Sequence, residues 1–146
     1  MSAHKALYER YVQALGTKDL GVQERELDAI LAPDFVAHDL IAILPPGDGA
    51  ALKTFRRRVQ QAFPYQMMRI EDLIEEGDRV ASRQRVTGTH RGPYLHVAPT
   101  GTAITVELLE IVRICEGKIA ERWVAFDRGG LLAALEGASG HNGGGG

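Results

Sequence analysis

Between Val80 and Asp127 the chain reads VASRQRVTGTHRGPYLHVAPTGTAITVELLEIVRICEGKIAERWVAFD, and it alternates between two side-chain faces over three long runs. A period of two puts successive side chains on opposite sides of an extended chain, so strands are predicted over about 79–88, 103–114 and 118–126. Two unlike connections join them. The first is long, rich in Gly, Pro and Thr, and carries His90, Tyr94 and His96. The second is the tight turn Cys115-Glu116-Gly117-Lys118. Strands joined in this way form an antiparallel meander, and the rest of the chain has to cover one of its faces.

Ahead of the meander the period is closer to 3.6. Ala6, Leu7, Tyr11, Val12 and Leu15 define a helix over 4–15, ended at Gly16. Leu27, Ile30 and Leu31 define a second over 23–31, stopped by Pro33. Ala51, Phe55, Val59 and Phe63 line one stripe of a third, closed by Pro64. Residues 33–39 form a short strand leading into a loop. Met67, Arg69, Glu71 and Leu73 then alternate with Met68, Ile70 and Asp72 in a further strand, and Gly77 supplies the positive φ of the next turn. Gly129-Gly130 opens a last short helix over 131–135. Helices followed by a run of strands predict an α+β domain with helices packed on one face of an antiparallel sheet.

A chain of 146 residues is one domain, here placed at 1–136, with a flexible Gly-rich tail over 137–146. The net charge of −2 gives no footprint for nucleic acid or an anionic membrane. The basic run Lys53-Thr54-Phe55-Arg56-Arg57-Arg58 reads as a solvated helix face. A single cysteine, Cys115, rules out an internal disulfide, and no apolar run approaches the ~20 residues of a membrane helix. The N-terminus lacks a signal-peptide pattern, so a cytoplasmic protein is expected. The histidines at positions 4, 38, 90, 96 and 141 have no metal-ligand spacing, and Gly47-Asp48-Gly49 lacks the Lys and Ser/Thr of a phosphate loop. Neither metal nor cofactor is expected.

The turn at Glu116-Gly117 fixes which side chains share a face. Read as a three-residue loop with a glycine bulge, it pairs Ile114 with Lys118, Glu110 with Arg122 and Leu108 with Val124. One face then carries Val106, Leu108, Glu110, Val112, Ala120, Arg122, Val124 and Phe126. The other carries Glu107, Leu109, Ile111, Ile119, Glu121 and Trp123. A two-residue loop would instead set Glu110 opposite Trp123. The first face is apolar apart from Glu110 and Arg122, which suits either a structural ion pair or a reactive pair in a concavity. The second face is too apolar for water, and a homodimer through Leu109, Ile111 and Trp123 is expected.

Several phrases carry a resemblance: Pro33-Asp34-Phe35-Val36-Ala37-His38-Asp39, Gly77-Asp78-Arg79-Val80, Gly88-Thr89-His90-Arg91-Gly92 and Pro99-Thr100-Gly101. Arg113, Gly117-Lys118-Ile119, Glu121-Arg122-Trp123 and the closing Phe126-Asp127 continue it. Together they resemble the SnoaL-like polyketide cyclases of the nuclear-transport-factor-2-like superfamily. The resemblance implies a cone-shaped, curved sheet packed against N-terminal helices around an apolar cavity, a cystatin-like α+β barrel. It also implies ring closure by an intramolecular aldol step without metal or cofactor. In such cyclases the acid/base group is an Asp on the last strand, two residues after a His, with a second His on the preceding strand. Aligned on these phrases, Arg122 stands at the last-strand His, Val124 at the Asp and Glu110 at the other His. Val124 cannot move a proton, so the family's central residue does not carry over.

Glu110 is therefore the first candidate for a general base, with Arg122 to hold a carboxylate or enolate oxygen. His38 and Asp39, after the short strand, are placed near the cavity mouth, His38 as a third catalytic candidate. His90, Tyr94 and His96 in the long connection, with Leu108, Val124, Phe126 and Asp127 on the last two strands, are candidate substrate contacts. His90 has a turn-stabilising role as its alternative, and Asp127 a helix N-cap. The function expected is proton transfer on a small apolar or aromatic carbonyl compound, by cyclisation, isomerisation or a lyase step, with hydroxylation and hydrolysis as variants. The alternative is a ligand-binding protein of the same fold without catalysis.

Overall fold

The computed structural model describes residues 2–38 and 46–144, with side chains as far as 139. Asp39 lies outside the described residues, as does most of the loop that precedes the third helix. The element order is α1 (Ala3–Gly16), α2 (Leu20–Ile30), β1 (Leu31–Ala37), α3 (Gly49–Ala62), β2 (Met67–Glu76), β3 (Arg79–Thr89), β4 (Ala103–Cys115), β5 (Lys118–Phe126) and α4 (Arg128–Gly144). The last helix thus continues well past Leu135.

Short polar side chains start the first three helices by satisfying N–H groups that have no partner within the helix. Ser2 accepts from the Lys5 amide, Asp19 from Val22 and Asp48 from Ala51. Each helix then buries one stripe. Tyr8, Tyr11, Val12 and Leu15 of α1, Leu27 and Ile30 of α2 and Leu52 of α3 form one core with Val80, Val112, Ile114 and Ile119 of the sheet. A second, smaller core joins Leu135 of α4 to Ala62, Phe63, Val97 and Ile104.

The five strands lie in the order β1-β5-β4-β3-β2. Four of them are antiparallel, but β1 joins β5 in parallel, so the sheet is mixed. Register shifts interrupt three of its ladders, and those in β2–β3 and β4–β5 decide which side chains share a face. Between Ile70 and Asp72 the β2–β3 register shifts. The extra residue turns Leu73 onto the core side with Met68 and Ile70 rather than with Met67, as strict alternation had predicted.

The β4–β5 hairpin corrects the expected register. Cys115 pairs with Lys118 across a two-residue turn, and both Glu116 (φ 51°) and Gly117 (φ 74°) are left-handed, the signature of a type I′ turn. A bulge then follows: Ile114 faces Ile119 while Arg113 faces Glu121. Ala120 is the additional residue. The turn shifts the expected pairing by one position and the bulge by another, so the face assignment of Glu110, Arg122, Val124 and Phe126 is preserved although every partner changes. Glu110 lies opposite Val124, Val112 opposite Arg122 and Leu108 opposite Phe126. Ile119 moves from the outer face into the core, where it is fully buried.

One glycine in the long connection is required by close approach. A Cβ at Gly92 would lie 2.0 Å from the Gln61 carbonyl oxygen. That contact lets the Arg91 and Gly92 amides both bond the Ala62 carbonyl, at 2.9 and 3.2 Å, and so ties the connection to the end of α3.

Candidate active site

The concave face of the sheet turns toward α1, α3 and α4, and a narrow cavity of about 80 Å³ remains between them. Its walls are chiefly apolar: Phe55 and Val59 of α3, Val106 and Leu108 of β4, Val124 and Phe126 of β5, with Tyr94 from the connection. A wider groove of about 740 Å³ lies outside, bounded by α3, Pro93-Tyr94-Leu95 and the start of α4. It shares Phe55, Val59, Tyr94, Phe126 and Arg128 with the cavity.

Glu110 and Arg122 are buried in the cavity wall, 3% and 6% exposed. Arg122 Nε lies 3.1 Å from Glu110 Oε2. The same carboxylate accepts from the Tyr8 hydroxyl at 2.5 Å, the Tyr11 hydroxyl at 3.2 Å and the Gln84 amide at 3.4 Å. Tyr8 in turn stands 2.5 Å from Ser82 Oγ and accepts from Gln84 at 2.6 Å. Burial, then the charge on Glu110, pushes the Tyr8 phenol far above its usual 10.0. Burial likewise holds the Tyr11 phenol neutral. Both are therefore fixed donors to the carboxylate, and an anion in an apolar wall is stabilised by one cation and three neutral donors.

A second guanidinium enters the cavity from α3. Arg56 is 8% exposed and does not belong to the solvated face predicted for its basic run; Arg57 and Arg58 do. Sequence reading missed this residue because a run of charges masks its helical phase. Leu52, Arg56 and Val59 fall on the inner stripe, and that spacing was the available signal. Tyr8, Ser82 and Gln84 were missed too, since each is ordinary on an amphipathic helix or a strand.

The remaining candidates separate. His38 is not among the cavity residues: its ring stacks on Trp123 at 4.9 Å, and its Nε2 lies 2.7 Å from Glu121 Oε2. His90 is fully buried within the connection, where Nδ1 accepts from the Thr100 amide at 3.2 Å and its backbone amide bonds the Thr102 carbonyl. His96 is exposed and pairs with Glu136 at 3.0 Å. Asp127 accepts from the Gly130 amide at 2.8 Å, the cap of α4. Leu108, Val124, Phe126 and Tyr94 do line the cavity. Among the described residues, no group of three or more His, Cys, Asp or Glu side chains is arranged to hold a metal, and no helix is long and apolar enough to cross a membrane.

A curved mixed sheet and helices that enclose one apolar cavity, with a charged pair in its wall, define an α+β fold of the nuclear-transport-factor-2-like class. The family model of the SnoaL-like polyketide cyclases matches residues 5–135. The chain belongs to that family. Among solved structures it is similar to AclR of Streptomyces galilaeus, a proposed hydroxylase, at 29% identity and a TM-score of 0.77, covering 91% of this chain and 80% of that one. IdmH of Streptomyces antibioticus, a proposed polyketide cyclase, matches at 28% identity and a TM-score of 0.77, covering 91% and 98%. A proposed SnoaL-like cyclase from Jannaschia sp. CCS1 has a TM-score of 0.82 at 19% identity over 91% of both chains, a likeness of fold alone. No curated protein matches the chain.

Proposed function

We propose that this protein catalyses proton transfer at carbon on an apolar or aromatic, polyketide-like carbonyl compound, in an aldol-type cyclisation or an isomerisation. The observation that carries this reading is the Glu110–Arg122 pair in the wall of an otherwise apolar cavity. Glu110 is the base that removes a proton next to the carbonyl, and Arg122 receives the enolate oxygen. Proton transfer moves the negative charge from the carboxylate to the enolate without changing the net charge of a water-poor cavity. The step therefore avoids the cost of creating a new isolated charge there. Similarity to a proposed cyclase and a proposed hydroxylase supports a small-molecule reaction of this family.

Two observations favour a second reading. Val124 occupies the position where the family resemblance places the acid/base Asp, and the Glu110 oxygens already serve four donors. A binding protein that holds the ligand without turnover fits both facts. Turnover by Glu110→Gln tests the base role, because Gln keeps the shape and one accepting oxygen but cannot accept the proton, while its NH2 replaces an oxygen that faces donors. A positioned general base contributes ~10²–10⁴ in rate, so a loss of that size is expected. An unchanged rate in a folded Glu110→Gln protein removes the base role.

A further inference from the structure

The basic run on α3 holds its cations in two kinds of environment. Arg57 is exposed and pairs with Glu24, and Lys53 pairs with Asp28. Arg56 alone turns inward, and the acceptors it meets are neutral. Its Nη2 donates to the Leu15 carbonyl at 3.0 Å and to Gln66 Oε1 at 2.9 Å, and lies 3.9 Å from Met68 Sδ. Its Nε is buried and makes no hydrogen bond among the described residues. Removing a guanidinium from water costs several kcal/mol unless a counter-charge meets it. The cavity supplies none to spare. Of the described residues in its wall, Arg56, Arg122 and Arg128 are cationic and Glu110 is the carboxylate, already held against Arg122.

We infer that the cavity takes an anionic ligand, an aromatic or otherwise apolar carboxylate, whose acid group pairs with Arg56. This rests on the reading of the cavity as the ligand site and narrows its substrate class. Burial, followed by repulsion from Arg122, outweighs the attraction of Tyr11 and Glu110 and lowers the Arg56 guanidinium to about 10, which leaves it protonated at neutral pH. A carboxylate arriving there relieves both penalties at once. It also offers two oxygens to a planar group of fixed geometry, the arrangement that favours Arg over Lys for carboxylate recognition. A cavity of about 80 Å³ admits the acid group and little more. The apolar body of the ligand therefore lies against Phe55, Val59 and Phe126, the walls shared with the outer groove of about 740 Å³, and extends into that groove.

The test uses a matched pair, 2-naphthoate and its neutral methyl ester, titrated into the purified protein by calorimetry at low salt and neutral pH. Shifts of the Val106 and Val124 methyl resonances locate the probe. The acid is expected to bind about tenfold more tightly than the ester, the worth of one charge-assisted pair. In Arg56→Met the preference should disappear while the ester still binds, and in Arg57→Met, on the exposed face, it should persist. Arg56→Lys keeps the charge and should retain part of the preference, so a Met variant that does not fold leaves the test intact. Equal binding of acid and ester by the wild type, or a preference that survives Arg56→Met, overturns the anion assignment and leaves the cavity reading standing. Failure of both probes to shift the cavity methyls overturns the cavity reading and this inference with it.

Discussion

Glu110 and Arg122 meet on a diagonal: Glu110 is paired with Val124 and Arg122 with Val112, yet Nε of the arginine reaches Glu110 Oε2 at 3.1 Å. Diagonal neighbours on one sheet face lie within reach of a long side chain. On the β4–β5 ladder the positions directly opposite both charges are the apolar Val124 and Val112, whereas on the β3 side Glu110 faces Ser82. The other donors come from α1 and β3: Tyr8 and Gln84 bond Oε1, and Tyr11 joins Arg122 at Oε2.

Tyr8→Phe is expected to destabilise the fold more than Tyr11→Phe. The Tyr8 hydroxyl serves Glu110, Ser82 and Gln84, whereas the Tyr11 hydroxyl has a longer contact to Glu110. Removing it leaves Glu110 Oε1 with the Gln84 amide at 3.4 Å. A buried polar group deprived of its partner costs about 1–3 kcal/mol, more when it is charged. Urea unfolding of the two variants checks the order, and equal losses would contradict it.

Most of the fold was legible because the change of period is abrupt: the stripe of the third helix ends at Pro64 and the alternation of the meander begins at Met67. The partners of the cavity residues were not. A type I′ turn and a bulge at Ala120 displace the ladder in succession, and neither leaves a mark on alternation that survives the other. Glu110, Arg122 and Val124 therefore kept their predicted face, while Ile119 crossed to the core. The bulge at Glu71 hid the phase of Leu73 in the same way. Arg56 was illegible for a different reason, since its neighbours carry the same charge and only its phase against Leu52 tells it apart. The parallel pairing of β1 with β5 joins segments far apart in sequence, beyond any local signal.

The hairpin turn offers a stabilising substitution. Glu116 is held at φ 51°, a conformation costly for a side chain without a short local acceptor. Asn tolerates it and is preferred at this position of a type I′ turn. Glu116→Asn should raise stability by ~0.5–1 kcal/mol, read as a shift in the urea midpoint at unchanged slope.

The outer face of the sheet is expected to meet a second copy of the chain. Leu109 and Ile111 on this face are 52% and 41% exposed, and Ile74 is 64% exposed. Trp123, by contrast, is covered within the chain by His38 and by Arg79 at 5.0 Å, so its substitution would disturb more than an interface. Leu109→Arg is the cleaner test. Sedimentation should show a dimer for the wild type and a monomer for the variant, and a wild type that is already monomeric at micromolar concentration refutes the interface.

His90 should make stability fall on mild acidification. Its Nδ1 accepts from the Thr100 amide, which places the ring proton on Nε2 and would set N–H against N–H if the ring were protonated. Burial is the first cause that lowers its pKa from 6.5. A depressed value in the folded state means that the unfolded chain binds the proton more readily. The contribution is therefore complete above pH 6.5 and is lost as pH falls through the lower folded value. The Glu121 carboxyl, lowered from 4.5 by its hydrogen bond to His38 and then by Arg113, loses its contribution in a separate, more acidic window. Denaturation midpoints taken from pH 8 downward should decline for the wild type just below neutrality. In His90→Gln, which cannot titrate, that step should be missing while the more acidic decline remains. A variant that keeps the step assigns it to another histidine, and the connection between β3 and β4 then owes nothing to the protonation state of His90.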